Sequence, residues 1–325
     1  MKKTTRLLAF VAVWLWAASA HAINVPGPLV ETSWLAKHAK QVVILDVRKD
    51  LKSFTGKPVL AKDKKSGKLV VKSVGAHIPG AMLVNYKKIR VNRQRDGMKL
   101  ESIIPLKADF EAQVQAWGVN KDSAIVIVSK GLDNGDMTMA TRLYWQLKYF
   151  GHDNMAILNG GMAQWLTEKR AISNAAASAG KGNWVATAER NELLATNKEV
   201  AAALKKGTQL VDNRPLSQYL GVYKKSYVYA EGHLPGAKSY PNELFVANKA
   251  PAKFLATDKL RDLSKGMGIN NNAETITYCN SGHLASGGWF IMHELMGNKN
   301  VRLFDGSMHE WTKQKGADVT AMKME

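Results

Sequence analysis

The sequence predicts an α/β protein built from two copies of one unit, each with a mostly parallel sheet. Two observations support this class: five landmarks occur twice in the same order, and strand-like apolar runs alternate with helical runs in each copy. The paired landmarks are an apolar strand ending in Asp-x-Arg (42–48 and 209–214), a His-x-Pro-Gly-Ala turn (75–81 and 231–237), a buried strand (125–129 and 275–279), a strand ending in Asn-Gly or Asp-Gly (151–160 and 297–306) and a tryptophan (Trp165 and Trp311).

The first 22 residues have the pattern of a secretory signal peptide. A charged start precedes a short apolar run, 7–18, and an Ala-x-Ala cleavage site at 20–22. The apolar run is too short to span a bilayer, and no later stretch reaches a spanning length. We therefore expect a periplasmic or secreted protein without a membrane span, whose mature chain starts near Ile23. An uncleaved anchor is the alternative.

The first copy keeps the scaffold landmarks but lacks the nucleophile. Its segment from Asp46 to His77 is ten residues longer than the equivalent segment of the second copy. The extra length includes the lysine-rich stretch 57–72, which we expect to form an exposed loop or hairpin. Ser129 stands where the second copy has Cys279, and no neighbouring base can be identified from the sequence. The first copy is therefore predicted to be catalytically silent.

A small, polar stretch at 171–184 separates the copies and is typical of a linker, so the predicted domains are 23–170 and 185–325.

The formal charge of +19 falls to +16 once the three cations of the signal peptide are removed. A secreted protein meets little nucleic acid, so we expect small anions or a membrane surface as partners, or a solvated basic surface with none. The eight histidines show no paired spacing, and neither a metal site nor a cofactor is expected.

Cys279, the only cysteine of the chain, is the candidate nucleophile. It follows a β-branched run, 274–278, and precedes an apolar helical run, 288–296, so it is predicted at the end of a strand, where open α/β sheets bind ligands. The N–H groups at the start of the following helix favour the thiolate over the thiol. We expect an exposed thiol with loop N–H groups facing the sulfur; a buried structural cysteine is the alternative. A lone cysteine cannot form an internal disulfide.

Four motifs of the second copy resemble those of the tandem-domain rhodanese-like sulfurtransferases, which include the thiosulfate and 3-mercaptopyruvate sulfurtransferases. They are Asp212-x-Arg214, the 232–237 turn, Cys279-x-x-Gly282-x-x-Ala285-Ser286, and Asp305-Gly306 followed by Trp311. The resemblance implies two domains, each a five-stranded parallel sheet flanked by helices, with the active site in a cleft between them. It also implies that sulfur moves from an anionic donor to cyanide or a thiol, a protein thiol included, through a Cys279 persulfide. Thiosulfate is the favoured donor and mercaptopyruvate the other candidate.

The resemblance also suggests roles for the residues around the cysteine. Arg214 is expected to contact the loop or the substrate, with a structural salt bridge as the alternative. Asp212 is expected to order the backbone or Arg214, and His233 to belong to a scaffold turn. His283 is a candidate anion donor or base, or a solvent-facing loop residue. The predicted substrate-binding set is Arg214, Asn280, Ser281, Gly282, His283 and Leu284, with Asp212 and His233 in support.

Three residues depart from the family pattern. Asn280 occupies a position that is usually basic or glycine, Gln218 replaces a second arginine, and Leu284 replaces a polar residue at the end of the loop. The missing cations keep a non-catalytic persulfide carrier or sulfur-binding module open as the alternative function. A phosphatase or arsenate reductase is less favoured, because Leu284 cannot clamp a tetrahedral oxyanion as an arginine would.

Overall fold

The computed structural model describes residues 23–247 and 249–322 and confirms the predicted α/β class. The predicted signal peptide, 1–22, lies outside the described residues. Each copy contains one five-stranded sheet, and every pairing within these two sheets is parallel.

The strands are, in chain order, β1 (Leu29–Val30), β2 (Val43–Arg48), β3 (Val59–Lys62), β4 (Leu69–Ser73), β5 (Met82–Asn85), β6 (Val91–Arg95), β7 (Met98–Ile103), β8 (Ile125–Val128), β9 (Met155–Leu158), β10 (Leu194–Ala195), β11 (Gln209–Asp212), β12 (Lys238–Ser239), β13 (Thr275–Tyr278) and β14 (Val301–Phe304).

The α-helices are α1 (Thr32–His38), α2 (Lys107–Ala116), α3 (Asn134–Tyr149), α4 (Gly161–Thr167), α5 (Asn197–Lys206), α6 (Leu216–Tyr219), α7 (Thr257–Gly266), α8 (His283–Trp289) and α9 (Ser307–Lys313). Short 3₁₀ turns span Leu51–Phe54, Asn191–Leu193 and Asn242–Leu244, and a π-helical segment, Phe290–Leu295, continues α8.

The two sheets have the same strand order, so the repeat in the sequence corresponds to a repeat in the structure. The first sheet runs β1-β9-β8-β2-β5 and the second runs β10-β14-β13-β11-β12. The central strands β8 and β13 are buried at every position, as expected for parallel strands that are covered on both faces. Because both sheets place Asp-x-Arg at the end of the strand next to the centre, the carboxyl edges of the two copies carry equivalent residues.

Two hairpins extend the first copy. The lysine-rich stretch forms the antiparallel pair β3–β4, as the sequence predicts. A second antiparallel pair, β6–β7, turns at Asp96 and Gly97, both with positive φ angles. Asp and Gly are the residues that tolerate such angles in a tight hairpin turn. The β6–β7 hairpin was not predicted, and it contacts the second copy.

The largest buried apolar cluster is shared between the domains. It joins Tyr86 and Met137 of the first copy to Cys279, Trp289 and Phe290 of the second. Helices α3 and α8 pack directly against each other at its centre. Gly287 permits this approach, since a Cβ there would lie 2.8 Å from Cγ2 of Thr138. The domains are therefore joined by a continuous core that brings the first copy against the cysteine loop.

Candidate active site

The cysteine loop connects β13 to α8, where the sequence places it. Cys279 directly follows Tyr278, the last residue of β13, and α8 begins at His283, five residues earlier than the apolar run suggests. Gly282 caps the helix with a φ of +71°, and a Cβ there would lie 2.5 Å from an Arg142 nitrogen. Glycine is therefore required both by the turn and by the close approach of the first domain.

The expectation of an exposed thiol is wrong. The Cys279 side chain is 1% exposed and belongs to the core that the domains share. The loop is covered from the first domain, because Arg90 donates to the carbonyl and hydroxyl of Ser281 at 2.6 and 2.8 Å, and Arg142 donates to the carbonyl of Gly282 at 3.1 Å. The sulfur thus lies beneath a contact between domains, which a single sequence pattern cannot reveal.

Ser307 takes two of the loop amides that were expected to face the sulfur. The amides of Cys279 and Gly282 donate to the Ser307 hydroxyl at 3.0 and 3.1 Å. The hydroxyl donates to the carbonyl of Phe304 at 2.7 Å and lies 4.0 Å from the Cys279 sulfur. Sequence reasoning missed Ser307. A usable signal was that it follows the repeated Asp-Gly landmark where the first copy has Gly161, and both residues have left-handed φ angles.

Arg214 forms the structural salt bridge that was the alternative, while its buried Nη1 has no hydrogen-bond partner among the described residues. It is fully buried, pairs with Asp212 at 2.6 Å and donates to the Gly232 carbonyl at 2.7 Å. In the first copy Arg48 makes the same pair with Asp46 and donates to the Ala76 carbonyl. Because the copy without a cysteine has the same arrangement, the ion pair belongs to the scaffold.

His233 also has a close structural counterpart in the first copy. Its ring stacks on Tyr219 at 3.8 Å and its Nδ1 lies 2.7 Å from the Tyr219 carbonyl. His77 stacks on Phe54 at 3.8 Å with an Nδ1 contact of 2.8 Å to the Phe54 carbonyl. The predicted scaffold turn accounts for both histidines.

The polar residues of the loop have protein partners. Asn280 donates to the side chain of Gln218 at 2.7 Å, so two residues that depart from the family pattern contact each other. Ser281 is held by Arg90. Leu284 packs against the shared core and offers no polar contact to a substrate. Of the predicted substrate-binding set, Asn280 and Ser281 lie beside the cysteine, whereas Arg214 is committed to Asp212.

His283 lies between the domains rather than in solvent. Its Nε2 is 3.1 Å from the Thr138 hydroxyl, and its ring centroid is 5.0 Å from that of Tyr86. Burial lowers the pKa of His283 well below its usual 6.5, and the neighbouring Arg90, Lys49 and Arg142 lower it further. The imidazole is therefore neutral near pH 7 and can act as a hydrogen-bond donor or acceptor but not as a cation.

A buried ionic network anchors the first domain beneath the loop. Asp305 pairs with Arg142 at 2.6 Å, where both side chains are fully buried, and with Arg95 at 3.2 Å. It also accepts a hydrogen bond from the Ile104 amide at 2.9 Å. Burial alone would raise the pKa of Asp305, but Arg142 and Arg95 outweigh it and keep that pKa below the usual value. The carboxylate therefore stays charged and ties α3 and the β6–β7 hairpin to the second domain.

The sequence did not indicate the cations that surround the loop. Arg90, Arg95 and Arg142 lie in the first domain, more than 130 residues before their partners. No sequence spacing relates them to Cys279, and only the packing of α3 on α8 brings them near.

Within 23–247 and 249–322, no helix is both long enough and apolar enough to cross a bilayer. The same residues contain no cluster of three or more histidine, cysteine or carboxylate side chains placed to hold a metal ion.

Comparison with known proteins identifies relatives along most of the chain. The Rhodanese-like domain family matches twice, over residues 31–168 and 196–314. A Haloferax volcanii protein named "Putative thiosulfate sulfurtransferase" is 32% identical over 250 residues, covering 75% of this chain and 83% of the relative. The "Sulfur carrier protein TtuD" of Thermus thermophilus is 25% identical over 315 residues, covering 90% and 96%. The crystal structure of Escherichia coli SseA, a 3-mercaptopyruvate sulfotransferase, has the same fold, with a TM-score of 0.68 at 24% identity over 86% of this chain and 98% of SseA.

Proposed function

The chain belongs to the rhodanese-like sulfurtransferases, and we propose that it moves a sulfane sulfur from thiosulfate to a thiophilic acceptor through Cys279. The observation that carries this proposal is the position of the only cysteine at the end of β13, under a set of first-domain cations. A thiolate nucleophile and a cationic surrounding are what an anionic sulfur donor requires.

The reaction has two displacement steps that balance without an outside oxidant or reductant. The Cys279 thiolate attacks the outer sulfur of thiosulfate; a new S–S bond forms, the donor S–S bond breaks, and sulfite leaves with the electron pair. Cyanide or a thiolate then attacks the outer sulfur of the persulfide, and Cys279 leaves as thiolate. With cyanide the product is thiocyanate. This is ping-pong covalent catalysis.

We infer that two backbone amides of the loop serve as donors to the persulfide. The amides of Asn280 and Ser281 donate to no atom of the described residues, unlike those of Cys279 and Gly282, which donate to Ser307. Backbone donors that are already in place stabilise a developing anion without reorganisation. Because Cys279 is 1% exposed, a donor can reach it only when contacts over the loop open, and we infer that the partly exposed Arg90 side chain moves off Ser281.

Thiosulfate is favoured over mercaptopyruvate as donor. The Haloferax volcanii relative is named for thiosulfate. Gln218 replaces the second arginine that the family resemblance associates with a carboxylate donor, and it is engaged by Asn280. Arg214, the other arginine expected there, is paired with Asp212. At these two positions the second domain offers a carboxylate one guanidinium, whose Nη1 has no partner among the described residues, instead of two.

Intact-mass measurement tests this function directly. The wild-type protein is incubated with thiosulfate or with mercaptopyruvate, and Cys279→Ser serves as the control. We expect a gain of one sulfur on the wild type with thiosulfate, removal of that sulfur by cyanide with formation of thiocyanate, and no gain on Cys279→Ser. A wild-type protein whose mass does not change with either donor would refute the proposal.

A stoichiometric persulfide carrier is the second candidate, and the similarity to the sulfur carrier protein of Thermus thermophilus favours it. A carrier gains one sulfur per chain but releases it only to a specific acceptor, such as a protein thiol. Multiple turnovers with cyanide or a small thiol support the enzyme, whereas a single loading without turnover supports the carrier.

We also propose that the protein works in the periplasm or outside the cell after removal of residues 1–22. The charged start, short apolar run and Ala-x-Ala site support this location. N-terminal sequencing of the protein from a periplasmic fraction should give Ile23 as the first residue, and an intact Met1 on a cytoplasmic protein would contradict it.

A further inference from the structure

Tyr86 has a buried hydroxyl with no assigned use. Tyr86 is 1% exposed, and its hydroxyl makes no hydrogen bond of good geometry to the described residues, although the Arg90 guanidinium lies close enough to act on it. A buried hydroxyl without a partner is unfavourable, and native structures usually retain one only where it serves a ligand or a strained function. Burial raises the pKa of Tyr86 to about 12, so the group remains a hydrogen-bond donor at neutral pH.

Two cations flank the Tyr86 ring. Lys49 Nζ lies 5.3 Å and Arg90 Cζ 5.4 Å from the ring centroid. Neither cation has an ion-pair partner in the part of the chain that the structure describes. Although Lys49 is exposed as a residue, partial burial of its ammonium lowers its pKa, and Arg90 lowers that pKa further, while Asp136 and Asp133 oppose this shift. The two carboxylates offset part of the positive charge of Lys49 without forming an ion pair with it.

This group adjoins the cysteine loop. The Tyr86 ring is 5.0 Å from the His283 ring, and Arg90 donates to the carbonyl and the hydroxyl of Ser281. His283 and Ser281 bracket Gly282 in the loop that begins at Cys279. An anion held by the three first-domain residues would therefore lie next to the loop that carries the sulfur.

The duplication provides an internal comparison. Counting from the shared Pro-Gly-Ala turn and Asp-x-Arg strand, the second copy has Pro215, Asn242 and Val246 at the positions of Lys49, Tyr86 and Arg90. A cavity of about 330 Å³ on that side is lined by the loop of the silent copy, including Asp133, and by Glu243, Val246 and Lys249, so its one cation among the described residues faces two carboxylates. The scaffold does not need the two cations, since they occur only where the partner loop carries a cysteine.

We propose that Lys49, Arg90 and the Tyr86 hydroxyl form an oxyanion subsite that holds the sulfonate end of the donor and directs its outer sulfur toward Cys279. This inference rests on the proposed function and names the part of the donor that the first domain recognises. A sulfonate has three oxygens and a negative charge, which match two cations and one hydroxyl donor. The first copy then has no catalytic residue of its own but binds the donor. It supplies the positive charge that the cysteine loop of the second copy lacks.

Calorimetric titration of thiosulfate into Cys279→Ser tests the subsite without covalent chemistry. Adding Lys49→Met or Arg90→Met should each weaken binding about tenfold, and Tyr86→Phe about fivefold, since each removes a charge-assisted interaction. Lys49→Arg should restore most of the affinity. Lys52→Met, which removes another exposed lysine three residues away, should change the affinity less than about twofold, because Lys52 does not lie over the Tyr86 ring as Lys49 does.

Lys49→Met and Tyr86→Phe are the decisive variants, because neither side chain makes a hydrogen bond to the loop. Equal thiosulfate affinity in Cys279→Ser with and without these changes would overturn the subsite, as would the absence of measurable binding at millimolar thiosulfate. A parallel titration with pyruvate reports whether a carboxylate uses the same residues. If wild-type protein gains sulfur from thiosulfate while these variants bind normally, the sulfurtransferase function stands and only the subsite is wrong.

Discussion

Removal of the Ser307 hydroxyl should destabilise the protein through the cysteine loop. The hydroxyl accepts hydrogen bonds from the buried amides of Cys279 and Gly282, so Ser307→Ala leaves two N–H groups without an acceptor. A buried unsatisfied group costs about 1–3 kcal/mol, which gives about 2–6 kcal/mol for the pair. Domains of ordinary stability unfold with about 5–15 kcal/mol, so most of this range leaves a folded variant to measure.

Ser307→Gly distinguishes the stability lost with the hydroxyl from the stability cost of the left-handed backbone conformation. Ser307 has a φ of +51°, and the equivalent Gly161 of the first copy has +55°. Alanine in this left-handed conformation costs about 1–2 kcal/mol, which glycine avoids. Glycine in turn lowers the free energy of unfolding by about 0.4–1 kcal/mol, because it makes the unfolded chain more flexible. We therefore expect Ser307→Gly to be about 0.5–1 kcal/mol more stable than Ser307→Ala, and both to be less stable than the wild type.

Urea unfolding, followed by tryptophan fluorescence, measures these differences. The exposed Ser217→Ala is the matched control and should stay within about 0.5 kcal/mol of wild type. If Ser307→Ala also stays within that margin, the Ser307 hydroxyl does not hold the loop amides and another interaction must fix the loop. If Ser307→Ala proves more stable than Ser307→Gly, the argument from backbone conformation is refuted, but the argument about the hydroxyl is not.

Two further perturbations address the interface between the domains. Asp305→Asn removes the charge that pairs with the buried Arg142, which should cost about 3–5 kcal/mol in urea unfolding; a loss below about 1 kcal/mol would show that the pair is not essential. Burial keeps His283 neutral in the folded protein with a pKa well below 6.5, so the unfolded chain binds the extra proton and stability falls as the pH drops below about 6.5. His283→Gln should reduce the slope of stability against pH between pH 7 and 5.5 by up to about 1.4 kcal/mol per pH unit, and an unchanged slope would contradict this.

The strand pattern could be predicted because the relevant interactions are local or repeat along the chain. The runs that became β8 and β13 are continuous and apolar or β-branched, which is typical of central parallel strands. The helix after Cys279 was predicted too late, because His283 and Leu284 carry no strong helical signal and the start is set by Gly282. The β6–β7 hairpin has many polar and charged residues, so no apolar alternation marked it.

The candidate site divides in the same way. Cys279 and the Asp-x-Arg scaffold could be identified from motifs, and the predicted sulfurtransferase function is confirmed at the level of the family. Arg214 pairs with Asp212, which a motif could not show, because it does not tell whether a guanidinium turns toward a substrate or toward its neighbouring carboxylate. The expected contact of Arg214 with loop or substrate stays a prediction. The donor, the location and the silence of the first copy stay predictions.

From sequence alone, the chain had to form two copies of one parallel α/β unit, with its single thiol at the carboxyl edge of the second sheet. Repeated motifs and alternating apolar runs determine this, since strand pairing and helix packing depend on periodic local patterns. Only the tertiary structure decided that the thiol is buried and which charges surround it. Arg90 and Ser281 are 191 positions apart in the chain, yet Nη2 of Arg90 lies 2.6 Å from the carbonyl oxygen of Ser281. Electrostatic interaction depends on distance in space, and the docking of α3 on α8 sets that distance.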